Sequence, residues 1–144
     1  MNITSDIHLH IVSFDIPYPA NYGGVIDVFF RIKSLAERGV KIHLHCFEYG
    51  REHSEYLEKF CYSVNYYQRE MKITHLLNHL PYIVCSRHSK ELCDNLKKDD
   101  YPILLEGLHC CSVLLDEEFQ KRNVLVRAHN VEHLIWDRIA KKTK

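Results

Sequence analysis

The chain lacks a surplus of either charge, a long apolar run, a paired-cysteine motif and a complete nucleotide-binding fingerprint. Each absence removes a class of protein. Lys plus Arg is 19 and Asp plus Glu is 19, so the basic excess expected of a nucleic-acid binder is missing. No apolar stretch approaches the roughly 18 residues of a spanning helix, and the N-terminus has no basic region followed by a long apolar core. The cysteines, Cys46, Cys61, Cys85, Cys93, Cys110 and Cys111, form no CxxC pair and sit in or beside apolar runs. They read as reduced, mostly buried thiols of a cytosolic protein rather than as a disulfide framework. No repeat, low-complexity tract or linker divides the 144 residues. One domain over residues 1–144 is expected, large enough to bury about 68–70% of its unfolded surface without a disulfide or metal staple.

What is present is an alternation of two periods. IHLHIVSF at 7–14 and VKIHLHCF at 40–47 are short, mostly apolar and rich in β-branched residues, as interior strands of a parallel sheet are. Between them Val25, Val28, Phe29, Ile32, Leu35 and Ala36 recur at helical spacing, and Gly39 ends that helix. Further strands are expected over 61–67, 103–107 and 123–128. Helices are expected over 71–80, 89–98, 112–119 and 130–142, with a loop and short helix over 49–59. Strands alternating with helices imply a three-layer α/β/α Rossmann-like domain with a mostly parallel sheet of five or more strands. Ligands of such sheets bind beyond the carboxyl ends of the strands. The residues to inspect are therefore 15–24, 47–50, 107–111 and 129–133.

Three stretches at that edge carry candidate chemistry. Gly23 and Gly24 open the first helix, where absent side chains let a ligand approach the positive end of the helix dipole. They lack the third glycine of GxGxxG and the lysine of the Walker loop, which weakens a nicotinamide or triphosphatase reading. Tyr18, Asn21 and Tyr22 precede them and either contact a polar ligand or pack the loop on the helix. In VRAHNVEH, 126–133, His129 falls where a strand gives way to a helix. It is placed to donate to a phosphate or sugar oxygen or to exchange a proton near neutral pH, with helix capping by His129 or Asn130 as the bland alternative. Glu106 and His109 follow the run ILL and form either an acid–base pair or helix caps. Histidines at 8 and 10, at 43 and 45, and at 75 and 79 share faces, but no acidic or cysteine ligand joins them at metal-site spacing. They are read as core-edge or surface residues, and no metal is expected.

GGV before a helix ending LAERGVKI, then LLEGLH and VRAHNVEH, together resemble the N-terminal domain of GT-B glycosyltransferases of the retaining family-4 type. The resemblance covers essentially the whole chain in element order. It implies transfer of a sugar from a nucleotide-diphosphate sugar to an acceptor hydroxyl with retention, as in polysaccharide biosynthesis, without a resident cofactor or metal. Gly23 and Gly24 would approach the donor diphosphate and sugar. His129 would reach the transferred sugar and assist catalysis. Tyr18, Asn21, Tyr22, Glu106, His109, Arg127, Asn130 and His133 would be acceptor-side residues, for a glycan or lipid-linked acceptor. Such an enzyme needs a C-terminal donor domain that the 144 residues do not contain, so this chain is expected to be inactive or nearly so by itself. Its closing AKKTK lies inside an expected helix, which reads as a cut. The location expected is cytoplasmic. The stretch Met71–Tyr82 is expected to pack on the domain, with peripheral contact to the inner membrane face through its apolar side as the alternative. The alternative function is a non-catalytic sugar- or nucleotide-binding module of the same fold; flavodoxin-type and receiver domains lack support here.

Overall fold

A computed structural model describes residues 6–130 and 132–142, without the side chains of Glu132, His133, Ile135 and Trp136. Five parallel strands, β1 (His8–Ser13), β2 (Lys41–Glu48), β3 (Ser63–Gln68), β4 (Ile103–Glu106) and β5 (Val124–Arg127), form one sheet in the order β3-β2-β1-β4-β5. This is an α/β Rossmann-like fold. The chain builds outward from β1 first through β2 and β3, then through β4 and β5 on its other side. The crevice between β1 and β4 is therefore the switch point at which such sheets bind ligands.

The first helix, α1 (Gly23–Glu37), turns Val25, Val28, Phe29 and Ile32 onto the sheet. Val28, Phe29 and Ile32 pack with Ile11, Ile42, Leu44 and Leu104 in one of two apolar clusters. Its end explains Gly39. That residue has φ +84°, its N–H donates to Ala36 O (2.9 Å), and Val40 N–H donates back to Leu35 O (3.1 Å), the two bonds of a Schellman motif. On the opposite face α3 (Lys90–Leu96) is capped by the Ser89 hydroxyl, which accepts from Leu92 N–H (3.2 Å). It brings Leu92, Cys93 and Leu96 against Val12, Phe47, Ile103 and Leu105. Four of the six free cysteines are buried, and burial pushes the Cys61 thiol up to about 12. A short helix α2 (Tyr82–Cys85) and a final helix α4 (Glu132–Lys142) complete the regular elements.

Two expected helices form differently. Residues 71–80 hold only a 3-10 turn, Ile73–Leu77, with Ile73 and Leu77 83% and 89% exposed. The run touches the domain through His75, whose ring lies 6.0 Å from that of Tyr82, and through Leu80 O, which accepts from Cys85 Sγ. Its apolar side chains Ile73, Leu76 and Leu77 stay in solvent and lack the packing that stabilises most helices. The expected helix is corrected to a 3-10 turn. Residues 112–119 lie in two 3-10 stretches, Leu108–Leu115 and Glu117–Lys121. Asp116 separates them because its extended backbone stops the first and its carboxylate accepts from Glu118 N–H (3.1 Å) to start the second.

The strand histidines also differ from expectation, since His10 and His45 are buried in a directed hydrogen-bond chain. Lys98 donates to Asn95 Oδ1 (2.6 Å), which turns the Asn95 amide nitrogen to the Tyr67 hydroxyl (2.8 Å). That hydroxyl then donates to His45 Nδ1 (2.8 Å), His45 Nε2 to His10 Nδ1 (2.9 Å), and His10 Nε2 to Asp99 Oδ1 (2.8 Å). Each imidazole is neutral with its proton on Nε2, an assignment that follows from the network. A polar cavity of about 200 Å³ borders the chain.

Candidate functional site

The carboxyl ends of β4 and β5 lie side by side, with Glu106 in register with Arg127. Asp27 and Arg31, one turn apart on α1, reach the same place. The Glu106 side chain is 0% exposed, and a buried carboxylate requires partners. Its Oε1 accepts from Arg31 Nε (2.7 Å), while Oε2 lies 3.6 Å from Arg127 Nη1 and 3.0 Å from His129 Nε2. Asp27 accepts from Arg127, and its Oδ2 lies 3.2 Å from Arg31 Nη2 and 3.6 Å from His129 Nδ1. The bond from Arg127 holds the Asp27 carboxyl below its usual range and raises the Arg127 guanidinium. Two acids and two arginines thus balance around one imidazole.

His129 is the member left over. Its Nε2 and Glu106 Oε2 stand at ion-pair distance without the alignment of a hydrogen bond, and neither buried atom has a hydrogen-bond partner among the described residues. Such atoms are costly when dry. A ligand hydroxyl or a water can both donate and accept, so either would complete this pair. The same pair can exchange a proton with a ligand hydroxyl, an acid–base arrangement in which Glu106 joins His129 rather than His109.

Phe14 forms the wall beside this cluster. Its ring meets those of His129 and His109 edge-on, at 5.5 and 5.8 Å. Gly107, at φ +95°, has its N–H on Arg127 O (2.8 Å), and a Cβ there would stand 3.4–3.6 Å from His109, His129 and Phe14. The glycine in LLEGLH is therefore demanded by conformation, the surroundings alone leaving room for a Cβ. At Gly24 a Cβ would come within 2.7 Å of Phe14 Cζ, whereas at Gly23 it would meet nothing within 4 Å. The space above Gly24 is filled by Phe14, and only Gly23 leaves the start of α1 open. No side chain caps that start, and its first turn holds no acid.

The remaining candidates separate into groups. Tyr18 packs on Phe29 and Tyr56 (ring centroids 5.4 and 4.6 Å), the packing alternative for that residue. Asn21 accepts from Arg51 Nη1 (2.9 Å), and Tyr22 donates to Asp15 Oδ2 (2.8 Å); burial and that carboxylate push the Tyr22 hydroxyl up to about 12. Neither joins the Glu106–His129 cluster by a described contact. Asn130 is exposed, and the His133 side chain lies outside the described residues. Asp27, Arg31 and Phe14 were not foreseen. The signal for the first two was an acid and a base four residues apart near the start of a helix that follows the glycine loop. No group of three or more His, Cys, Asp or Glu among the described residues is disposed to hold a metal ion. None of the helices among them is long and apolar enough to cross a membrane.

Comparison with known proteins finds one informative relative. The chain is 34% identical over 129 residues to an uncharacterized 44.6 kDa protein in the cps region of Klebsiella pneumoniae, an alignment covering 85% of this chain and 33% of that protein. It thus spans about a third of the length of the relative it matches. No family model matches, and no solved structure matches.

Proposed function

We propose that this chain is the acceptor-side, N-terminal half of a retaining glycosyltransferase of the GT-B type, which moves a sugar from a nucleotide-diphosphate sugar to an acceptor hydroxyl. One observation carries the reading. An imidazole and a buried carboxylate face each other with unfilled hydrogen-bonding capacity at the carboxyl ends of β4 and β5, beside the β1/β4 switch point. The relative's cps region, read as a capsular polysaccharide locus, agrees with a glycan or lipid-linked acceptor, and its greater length leaves room for a donor domain.

In this reading His129 exchanges a proton or donates at the transferred sugar. Glu106 and Asp27 hold its ring from either side, and Arg127 and Arg31 balance their charge. Gly23 leaves the N–H groups at the start of α1 accessible to the donor diphosphate. Catalysis rests on positioning and on stabilising the departing diphosphate, with no cofactor or metal invoked. A cytoplasmic location with peripheral membrane contact belongs to the same reading. It is supported by the exposed Met71, Ile73, Leu76 and Leu77 beside Lys72.

The test is to assay the full-length protein with nucleotide-diphosphate sugars and lipid-linked or glycan acceptors, following release of nucleoside diphosphate. Acceptor-dependent release that disappears in His129→Ala is expected. Saturable sugar or nucleotide binding without turnover would replace the enzyme by a non-catalytic binding module.

A further inference from the structure

Apart from the exposed Arg38 and Arg138, the arginines fall into two sets. Arg31, Arg122 and Arg127 each lie within 4.0 Å of a carboxylate. By contrast Arg51, Arg69 and Arg87 have no ion pair among the described residues, although Arg87 is only 5% exposed. A guanidinium withdrawn from water without a counter-charge is costly, and proteins retain one where an anion is to be met.

These three cations surround one loop at the carboxyl ends of β1, β2 and β3. Arg87 donates through Nε to Phe14 O (3.0 Å) and through Nη1 to Ile83 O (3.1 Å), so neutral carbonyls hold it at the end of β1. Arg69 donates through Nε to the hydroxyl of the adjacent Ser86 (2.8 Å) and stacks over Tyr49 at 4.3 Å. Arg51 sits 5.3 Å above the Tyr22 ring and donates through Nη1 to Asn21 Oδ1 (2.9 Å) and through Nη2 to Pro19 O, while its buried Nε has no hydrogen-bond partner among the described residues. At the centre is Asp15, whose two oxygens accept from Ile16 N–H and Tyr22 OH (both 2.8 Å). The other carboxylates at these strand ends are engaged elsewhere, Glu48 with His53 and Gln68, and Glu70 with Lys72. Burial, reinforced by the nearby Arg69 charge, holds the Arg87 guanidinium below its usual value.

We propose that Arg51, Arg69 and Arg87 form an oxyanion site for the phosphate or diphosphate group of a ligand. Guanidinium forks match tetrahedral oxyanions through paired, charge-assisted hydrogen bonds. The side chains are pre-positioned by carbonyl, hydroxyl and aromatic contacts, so binding requires little ordering. Arg87 is held by the Phe14 carbonyl while the Phe14 ring meets His129, and the site's existence does not depend on sugar transfer.

Titration of the full chain with pyrophosphate by calorimetry at low salt tests it. Wild-type protein is expected to bind, with affinity falling as salt rises. Arg69→Ala and Arg51→Ala should each weaken binding by roughly tenfold or more, while Arg38→Ala, at the far end of α1, should not. Arg87→Lys keeps the charge but not the fork and should weaken binding while preserving the circular-dichroism spectrum. Geranyl diphosphate binding in preference to UDP would assign the phosphate to a lipid-linked ligand, and the reverse to a nucleotide. No binding of pyrophosphate by wild-type protein, or equal binding by Arg51→Ala and Arg69→Ala, would overturn the proposal.

Discussion

Two histidine–carboxylate assemblies occupy the same sheet, and they are finished to different degrees. On the α3 face, His10 and His45 have both ring nitrogens engaged, in a chain that runs without a gap from Lys98 to Asp99. At the carboxyl edge, His129 and Glu106 stand 3.0 Å apart with a donor and an acceptor left over. A completed network rigidifies a core, whereas an incomplete one carries a cost until a bound group or a water completes it. Histidine abundance alone would treat the two alike. Their hydrogen-bond completeness separates a structural assembly from a candidate site.

Four changes should break or sharpen that contrast. The largest effect is expected for His129→Ala, which should lower turnover of the full-length protein by roughly 10²–10⁴-fold with little change in melting temperature. A large loss of stability with retained turnover would reverse the two roles. Glu106→Gln keeps the shape but removes the buried charge under Arg31 and Arg127. Denaturant unfolding should show a loss near 3 kcal/mol, at the low end of the usual range for a broken buried pair because Asp27 still serves both arginines.

Acid should act on the finished assembly instead. Burial lowers the folded-state values of His10 and His43, and takes that of His45 to about 3. Between 6.5 and 3 the unfolded chain therefore binds protons that the folded chain refuses, and stability falls as pH falls through that window. His45 alone contributes up to about 1.4 kcal/mol per pH unit. Urea midpoints measured from pH 7 to 4 should drop, and His45→Gln should flatten the drop.

The smallest pair concerns the glycines. Gly23→Ala meets open space and should be neutral or stabilising by about 0.5–1 kcal/mol. In contrast, Gly24→Ala must displace Phe14 and should cost about 1–2 kcal/mol, which differential scanning calorimetry resolves.

The sheet was legible because β-branched runs and the Val25–Ala36 stripe obey periods that only strands and helices satisfy. Met71–Leu80 obeys the helical period as well, yet Ile73, Leu76 and Leu77 remain exposed, and a pattern cannot announce a missing partner. The site was legible in part. His129, Glu106 and Arg127 follow strands, so their position at the sheet edge came from topology. Asp27 and Arg31 come from the helix that crosses to them, and only the folded arrangement joins residues 75 and 100 positions apart in the chain. Gly24 had the right address for a ligand, but its vacancy belongs to the Phe14 ring.

The chain from Lys98 to Asp99 also has a direction. A proton added to His10 would oblige its Nδ1 to donate, and His45 would have to surrender the Nε2 proton and take one at Nδ1. The Tyr67 hydroxyl, facing two donors, would have to swing its own hydrogen away. One titration thus reverses a tautomer and a rotor two residues distant, and nitrogen-15 shifts of His45 would register a charge that resides on His10.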